Sequence, residues 1–277
     1  MRRPAVPGIL SAVAGASLAL GALSGCAHAL KAPPALEEIA GPAPPGDPTD
    51  PARLLEQANA LFAHRAIADA RRAATLALRA AAATTPPSAD ALLLAIRILV
   101  WLAEHEETSE ARSLSATRGV QAAQWCDAAA SPAPCAYWKA AALGQQARER
   151  PSTGLSAVPL VEAGFKEAAA ADASLEQGGP DRALALFYLR APGWPAGPGD
   201  PEQGLAHARR AVELSDAYPP NHLALGEALS KTGDASGARR EYARARALAL
   251  RAEEAGEPDA GDWMREADEA IREAPGT

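Results

Sequence analysis

The chain has 277 residues, a formal net charge of −7 and 4% aromatic residues, and it is rich in alanine. Alanine favours closely packed helices, whereas sheets need β-branched and aromatic residues, so the composition excludes a β-rich fold. Acidic and basic residues are interleaved, which leaves no basic face for a phosphate backbone and excludes nucleic acid as the expected partner.

Residues 1–26 have the pattern of an export signal. Arg2 and Arg3 precede an apolar run that ends at Leu23, and small residues lead to Cys26. The stretch resembles a bacterial lipoprotein signal, which implies that Cys26 becomes the lipid-bearing N-terminus of the mature protein. Ala27 in place of an aspartate implies an outer-membrane anchor facing the periplasm. The alternative is an ordinary cleaved signal peptide with an incidental cysteine.

Residues 27–50 are predicted to be a Pro-rich tether. The prolines between positions 33 and 48 cannot continue helices and favour an extended, semi-rigid chain. At about 3.1 Å per residue, such a spacer would hold the folded part up to roughly 70 Å from the membrane.

Residues 51–277 are predicted to form one helical domain. Helix signals follow one another along this stretch, and Pro/Gly-rich breaks divide it into roughly ten or eleven helices. The breaks are predicted at 84–87, 131–134, 150–154, 178–180 and 191–201.

An internal repeat indicates how these helices are arranged. The pair Gly199-Asp200 recurs 34 residues later as Gly233-Asp234, and the small and aromatic residues that follow recur in the same register. This is the period of tetratricopeptide repeats. Leu143-Gly144 and Leu225-Gly226 match the first helix of that pattern, and fainter copies contain Ala58 and Ala70.

The repeat predicts an all-α fold, a right-handed solenoid of antiparallel helix pairs. The tetratricopeptide-like repeats are partly degenerate, with insertions expected in 150–154 and 191–199. One degenerate repeat is predicted between them, with a second helix at about 157–175. The alternative is a generic helical bundle whose alanine spacing is coincidental.

Two further cysteines, Cys126 and Cys135, remain once Cys26 is assigned to lipid. In a compartment where disulfides persist, they are expected to form one bridge. The alternative is two small buried thiols.

The stretch from about residue 110 to residue 250 resembles a particular group of bacterial lipoproteins. The resemblance is carried by Tyr137-Trp138, by the Pro-Gly-Trp-Pro loop at 192–195 and by the segment 211–222. It is to lipoproteins with cryptic tetratricopeptide repeats, like the T component associated with tripartite ATP-independent periplasmic (TRAP) transporters. The resemblance implies binding of a periplasmic solute receptor or of a hydrophobic ligand.

The concave surface of a solenoid is lined by its first helices and is where binding usually occurs. Face positions of two first helices are therefore candidate partner contacts, with ordinary solvated residues as the alternative: Trp138, Gln145, Arg148, Leu223, Glu227 and Lys231. Trp194 in the Pro/Gly loop either caps the solenoid, which is the preferred interpretation, or anchors a partner.

No catalytic residue, metal site or cofactor is predicted. The chain lacks the H-E-x-x-H, P-loop, dinucleotide-loop and G-x-S-x-G motifs. His105, flanked by Glu104, Glu106 and Glu107, is interpreted as a solvated helix end, because neighbouring carboxylates on a helix point in different directions.

The sequence thus predicts a non-catalytic, periplasm-facing lipoprotein whose solenoid binds a partner protein. A transport-associated solute receptor or its ligand is the expected partner. The alternative is a structural adaptor for assembly of an outer-membrane complex of the pilus or secretion type.

Overall fold

The computed structural model describes residues 33–44, 46–126 and 132–273. The predicted signal over residues 1–26, with Cys26, lies outside these ranges. None of the described helices is both long and apolar enough to cross a membrane. The described part contains no strand and has the following helices: α1 Leu36–Ala40, α2 Pro51–Ala63, α3 Ile67–Ala82, α4 Ala89–His105, α5 Ser109–Ala123, α6 Pro132–Glu149, α7 Pro151–Ala171, α8 Leu175–Arg190, α9 Pro201–Leu214, α10 Pro219–Lys231, α11 Ala235–Glu254 and α12 Ala260–Glu273.

From α2 onward the helices pack as consecutive pairs. Each helix contacts the next along the chain, and the first helix of each pair also contacts the first helix of the following pair. The connections are short, as antiparallel neighbours require. The predicted all-helical solenoid of tetratricopeptide-like pairs is confirmed.

The repeated Gly-Asp pair marks the starts of two second helices. The Asp200 carboxylate accepts hydrogen bonds from the backbone N–H groups of Glu202 (3.0 Å) and Gln203 (3.1 Å) at the start of α9. Asp234 accepts one from Gly237 N–H (2.8 Å) at the start of α11. Such N-caps satisfy helix donors that lack an intrahelical partner. The 34-residue repeat is therefore a repeat of helix starts.

The two Leu-Gly pairs have different surroundings. A Cβ on Gly226 would lie 2.4 Å from the Tyr242 ring, so α10 and α11 approach each other only because this position has no side chain. A Cβ on Gly144 would meet only Val161, at 3.9 Å. Gly144 therefore has room for a methyl group where Gly226 has none, although α6 and α7 approach closely at Gly164, where a Cβ would lie 2.8 Å from the Ala140 Cβ.

The prediction of an extended tether is wrong for residues 33–50, apart from Pro45, which is not described. Leu36 and Ile39 on the short helix α1 are 3% and 6% exposed and belong to the main core. The Arg118 side chain on α5 donates to the Ile39 carbonyl (3.1 Å). Leu36 and Ile39 are three residues apart, so one turn of helix places both on one face, and burying that face outweighs the extended preference of the neighbouring prolines.

A buried carboxylate holds the rest of this segment. Asp47 has a side chain only 4% exposed and forms ion pairs with Arg72 and Arg79 of α3. The Trp125 indole N–H donates to the Pro34 carbonyl (2.9 Å). Residues 33–50 are therefore part of the folded domain, which does not begin at residue 51 as predicted.

The region between α6 and α8 differs from the predicted spacing. Only Arg150 separates α6 from α7, so 150–154 is not a loop, and the degenerate second helix spans Pro151–Ala171 rather than 157–175. The predicted break at 178–180 adjoins a real kink. Glu176, Gln177 and Gly178 all have left-handed φ angles of 48°, 60° and 79°.

Asn221 at the start of α10 supports this kink. Its side chain is fully buried, and its amide N–H groups donate to the carbonyls of Gln177, Ala211 and Ser215, each at 2.9 Å. Its carbonyl accepts a hydrogen bond from Arg182 (2.8 Å). Left-handed conformations are costly for residues other than glycine and persist only where surrounding contacts hold them. Asn221 supplies such contacts by joining the ends of α8, α9 and α10.

Cys126 and Cys135 form a disulfide in the structure, with their Cα atoms 5.6 Å apart. The bridge links the residues that follow α5 to the first turn of α6. It joins one repeat to the next on the side of the large N-terminal core.

The two Leu-Gly positions provide a matched pair for testing helix packing. We expect Gly226→Ala to lower the free energy of unfolding by about 1–3 kcal/mol, because its methyl group overlaps the Tyr242 ring. Gly144→Ala should raise it by up to about 1 kcal/mol, because alanine is the better helix former and the space is open. Urea unfolding followed by circular dichroism measures both, and equal effects would refute this description of the crossings.

Candidate functional site

A groove of about 420 Å³ opens on the concave side of the solenoid, between α6 and α8. Trp138 and Ala141 of α6 line one wall, and Leu186 and Phe187 of α8 line the other. The groove is lined mainly by first helices, which is where the repeat pattern places a binding surface.

The second helix α7 forms the floor of the groove. Its Val161 and Phe165 fill the space between α6 and α8, and both are largely buried. Gly144 and Ala141 on the α6 side leave this floor open, because neither carries a bulky side chain. The groove thus lies where α6 carries the small residues Ala141 and Gly144, whereas α6 and α7 are in close contact at Gly164.

Trp138 is the only residue of the predicted set whose aromatic ring lines the groove wall. It is half-buried, packs edge-to-face on Tyr137 with ring centroids 5.0 Å apart, and has the Arg97 guanidinium 6.0 Å from its ring. A partly covered indole with a cation beside it can bind either an apolar or a polar group.

Gln145 and Arg148 also line the groove, but their donors bind the neighbouring first helix. The Gln145 amide N–H donates to the Glu104 carboxylate, and Arg148 donates to the Ala103 carbonyl (2.9 Å). The buried Gln145 Oε1 has no hydrogen-bond partner. These two residues therefore tie α6 to α4.

Glu227 and Lys231 make the equivalent contacts two helix pairs further along the chain. Glu227 pairs with Arg190 of α8 (2.7 Å), and the Lys231 ammonium donates to the Leu189 carbonyl (2.5 Å). They tie α10 to α8, so most of the predicted contact residues have structural partners already.

The prediction of Leu223 as a surface contact is wrong. Leu223 is 6% exposed and packs with Ala238 and Tyr242 in the C-terminal core. The face of α10 that carries Leu223 is turned toward α11, because the close approach at Gly226 fixes the rotation of the helix.

The two ends of the solenoid meet beside the groove. Arg65, at the end of α2, forms a two-bond ion pair with Asp259, just before α12, at 2.6 and 2.9 Å. Their side chains are 13% and 22% exposed. Arg65 has a left-handed φ of 51° and packs its guanidinium 4.0 Å from the Phe62 ring centre. Sequence analysis missed this contact because 194 residues separate its partners.

A second cavity of about 180 Å³ lies under this ion pair. It shares five lining residues with the groove, so the two form one elongated depression: Val100, Glu104, Tyr137, Trp138 and Arg182. An elongated depression suits a stretch of chain better than a compact ligand.

Glu104 is the carboxylate at the junction of these two cavities. Loss of water between the groove walls raises the pKa of the Glu104 carboxyl, although His105, Arg148 and Arg190 oppose the shift. Desolvation raises the pKa of Glu266 on α12 as well, and Glu227 and Glu104 add to that shift. Both raised pKa values indicate carboxylates that lack full compensation in the free protein.

The charged cluster around His105 is not the solvated helix end that was predicted. Glu106 is 4% exposed and is held by Arg71 on α3, and Glu104 lies in the groove. The His105 ring stacks on Trp101 with centroids 4.1 Å apart. Consecutive carboxylates do point in different directions, but the neighbouring helix α3 covers Glu106, whereas Glu104 and Glu107 are exposed.

The described residues contain no group of three or more histidine, cysteine or acidic side chains placed to hold a metal ion. The described histidines are engaged with carboxylates or backbone: His207 with Asp181 (2.8 Å) and His222 with Glu241 (2.7 Å) are both partly or fully buried between helices. Such pairs join neighbouring helices, and neither of these histidines lines the groove.

Trp194 lies apart from the groove, in the loop between α8 and α9. Its side chain is 89% exposed, so the interpretation as a cap of the solenoid is wrong. A capping ring would be covered by the helix it protects. The interpretation as an anchor for a partner stays a prediction.

Among solved structures, the protein resembles TTC0263, a thermophilic tetratricopeptide-repeat protein of Thermus thermophilus. The TM-score is 0.60 at 18% sequence identity, and the match covers 80% of this chain and 99% of that one. At this identity the likeness shows the fold alone. No family model and no curated protein matches the sequence.

The desolvated Glu104 predicts how stability depends on pH. Its raised pKa means that the folded state binds the proton more tightly, so its charged form lowers stability above the usual carboxyl pKa of about 4.3. We expect Glu104→Gln to raise the midpoint of thermal unfolding at pH 7 and to leave it unchanged near pH 3. Glu56→Gln, which removes a charge on α2 that lines neither cavity, is the control. An equal effect of Glu104→Gln at both pH values would contradict the desolvation account.

Proposed function

We propose that the protein is a non-catalytic scaffold that binds an extended segment of a partner protein in its concave groove. One observation carries the proposal: an open depression of about 420 Å³, walled by Trp138, Leu186 and Phe187, continues into a second cavity with shared walls. Aromatic and apolar walls with a few placed polar groups are typical of binding sites. The tetratricopeptide-like fold supports a protein as the partner.

The chemistry of the rim supports a mixed partner segment. Arg148 and Glu104 line the groove, Arg97 lines the second cavity, and the raised pKa of Glu104 indicates a carboxylate that a partner cation would stabilise. A partner side chain that brings a positive charge toward Glu104 would relieve its desolvation cost. An apolar residue flanked by a basic one fits these walls best.

We further propose that the protein works as a lipoprotein, attached through Cys26 to the outer membrane and facing the periplasm. The lipoprotein-like signal of residues 1–26 supports this location, and the Cys126–Cys135 disulfide fits a compartment where disulfides persist. A periplasmic solute receptor, or its cargo, is the partner we expect from the resemblance to transport-associated lipoproteins.

The attachment is tested by metabolic labelling. Cells that express the chain with a C-terminal tag are grown with an alkyne-bearing palmitate, and the purified protein is examined for the label. We expect the wild-type chain to carry it and Cys26→Ser to lose it. A labelled Cys26→Ser variant, or an unlabelled wild type, would argue against lipidation at this cysteine.

The partner is tested by photo-crosslinking in the living cell. A benzophenone amino acid at Leu186, on the groove wall, should capture a protein, whereas the same probe at Leu250, exposed on α11, should not. We expect Glu104→Lys to weaken the capture at Leu186, because it replaces the groove carboxylate with a cation that repels a basic residue of the partner.

Mass spectrometry of the adduct identifies the captured protein. A soluble solute receptor supports the transport-related role, and an outer-membrane channel or pilus component supports an assembly adaptor instead. Equal capture from Leu186 and Leu250 would refute the groove as the binding site.

A further inference from the structure

A surface poor in charge is formed by part of α7 and by the loop between α8 and α9. The stretches 154–161 and 191–199 contain no charged residue, although 22% of the chain is charged. Leu155 is 68% exposed and Trp194 is 89% exposed on these stretches. Exposed apolar groups without neighbouring charge are typical of interaction sites.

The loop that carries Trp194 is held rigidly. Gly197 N–H donates to the Gly193 carbonyl (3.1 Å), and Gly199 N–H donates to the Pro192 carbonyl (2.8 Å). A Cβ at Gly199 would lie 2.2 Å from the Ala191 carbonyl oxygen, so only glycine fits there. Trp194 is therefore presented by a preorganised turn, which lowers the entropy cost of binding through it.

A cavity of about 260 Å³ lies beside the same loop. Leu155, Val158 and Pro159 of α7 form one side, and Pro192, Ala196, Gly197 and Pro198 of the loop form the other. Its single charged lining residue, Glu162, is already bound by Lys166 (2.6 Å) and by the Tyr188 hydroxyl (2.7 Å). The cavity is thus a mainly apolar pocket that lies next to the exposed side chain of Trp194.

We propose that this surface, formed by residues 155–159 and 192–198, is a homodimer interface in which Trp194 of each copy enters the cavity of the other. A projection and a matching cavity on one surface are the condition for a two-fold interface, where the same patch serves both subunits. The patch carries no unpaired charge, so two negatively charged chains can meet there without removing an unpaired charge from water. A buried tryptophan typically removes about 150–250 Å² from water.

The proposed interface and the groove have no lining residue in common. Val161 and Phe165 face the groove, whereas Leu155, Val158 and Pro159 face the dimer surface. A dimer built this way leaves both grooves open and presents two binding sites at once. Two sites on one assembly raise the avidity for a partner that is itself multivalent.

The interface is tested with the full chain, expressed in living cells. A benzophenone amino acid replaces Leu155 in one tagged copy, which is co-expressed with a copy carrying a different tag. We expect an adduct of twice the monomer mass, mapped to residues 192–198 of the second copy. Trp194→Ala should reduce it at least tenfold, and Ala196→Glu, which puts a charge in the cavity, should do the same. The same probe at Leu114, 60% exposed on α5, is the control and should give none.

Any of three other results would overturn the proposal. These results are a monomer without adduct, an adduct with another protein or with lipid, and a dimer adduct that both variants leave intact. Partner capture from Leu186 is measured in the Trp194→Ala variant in parallel. That capture should persist, so failure of the dimer and failure of the groove proposal are told apart.

Discussion

The close approach of helix backbones at alanine and glycine positions is the constraint on which the rest of this structure depends. Ala70, Ala74 and Ala77 of α3 are completely buried, and Gly226 lies against Tyr242 with no room for a methyl group. Where such contacts are tight, neighbouring pairs are locked in orientation. At Gly144, by contrast, an added Cβ would have its nearest neighbour 3.9 Å away, and this position lines the groove. Small residues therefore line both the core and the candidate site.

Polar contacts between first helices decide which groove residues are available to a partner. Arg148 and Lys231 each donate to a carbonyl near the end of the preceding first helix, and Glu227 binds Arg190 in the same way. These ties hold the curvature of the concave face, so those side chains are partly engaged before any partner arrives. The apolar walls at Trp138 and Phe187 are the freer part of the surface, which is why the binding proposal rests on them.

Composition does not say what a side chain meets in space, and for this reason three features of the structure differ from the sequence predictions. A Pro-rich segment was expected to extend, yet Leu36 and Ile39 found a core to enter. Leu223 was expected on the surface, and the crossing at Gly226 turned it inward. Glu106 was expected in solvent, and Arg71 of another repeat covers it. In each case the deciding partner lies in a different helix.

The sequence by itself determined the helical class, the pairing of helices and the repeat period, because alanine content, proline breaks and the N-cap positions Asp200 and Asp234 act within a few residues of chain. Tertiary structure alone decided where the groove opens, that Arg65 meets Asp259 across the solenoid, and that Trp194 projects beside an apolar cavity. The physical reason is distance along the chain. Local hydrogen bonding and side-chain size can be read from neighbouring residues, whereas these features depend on the accumulated rotation of successive helix pairs.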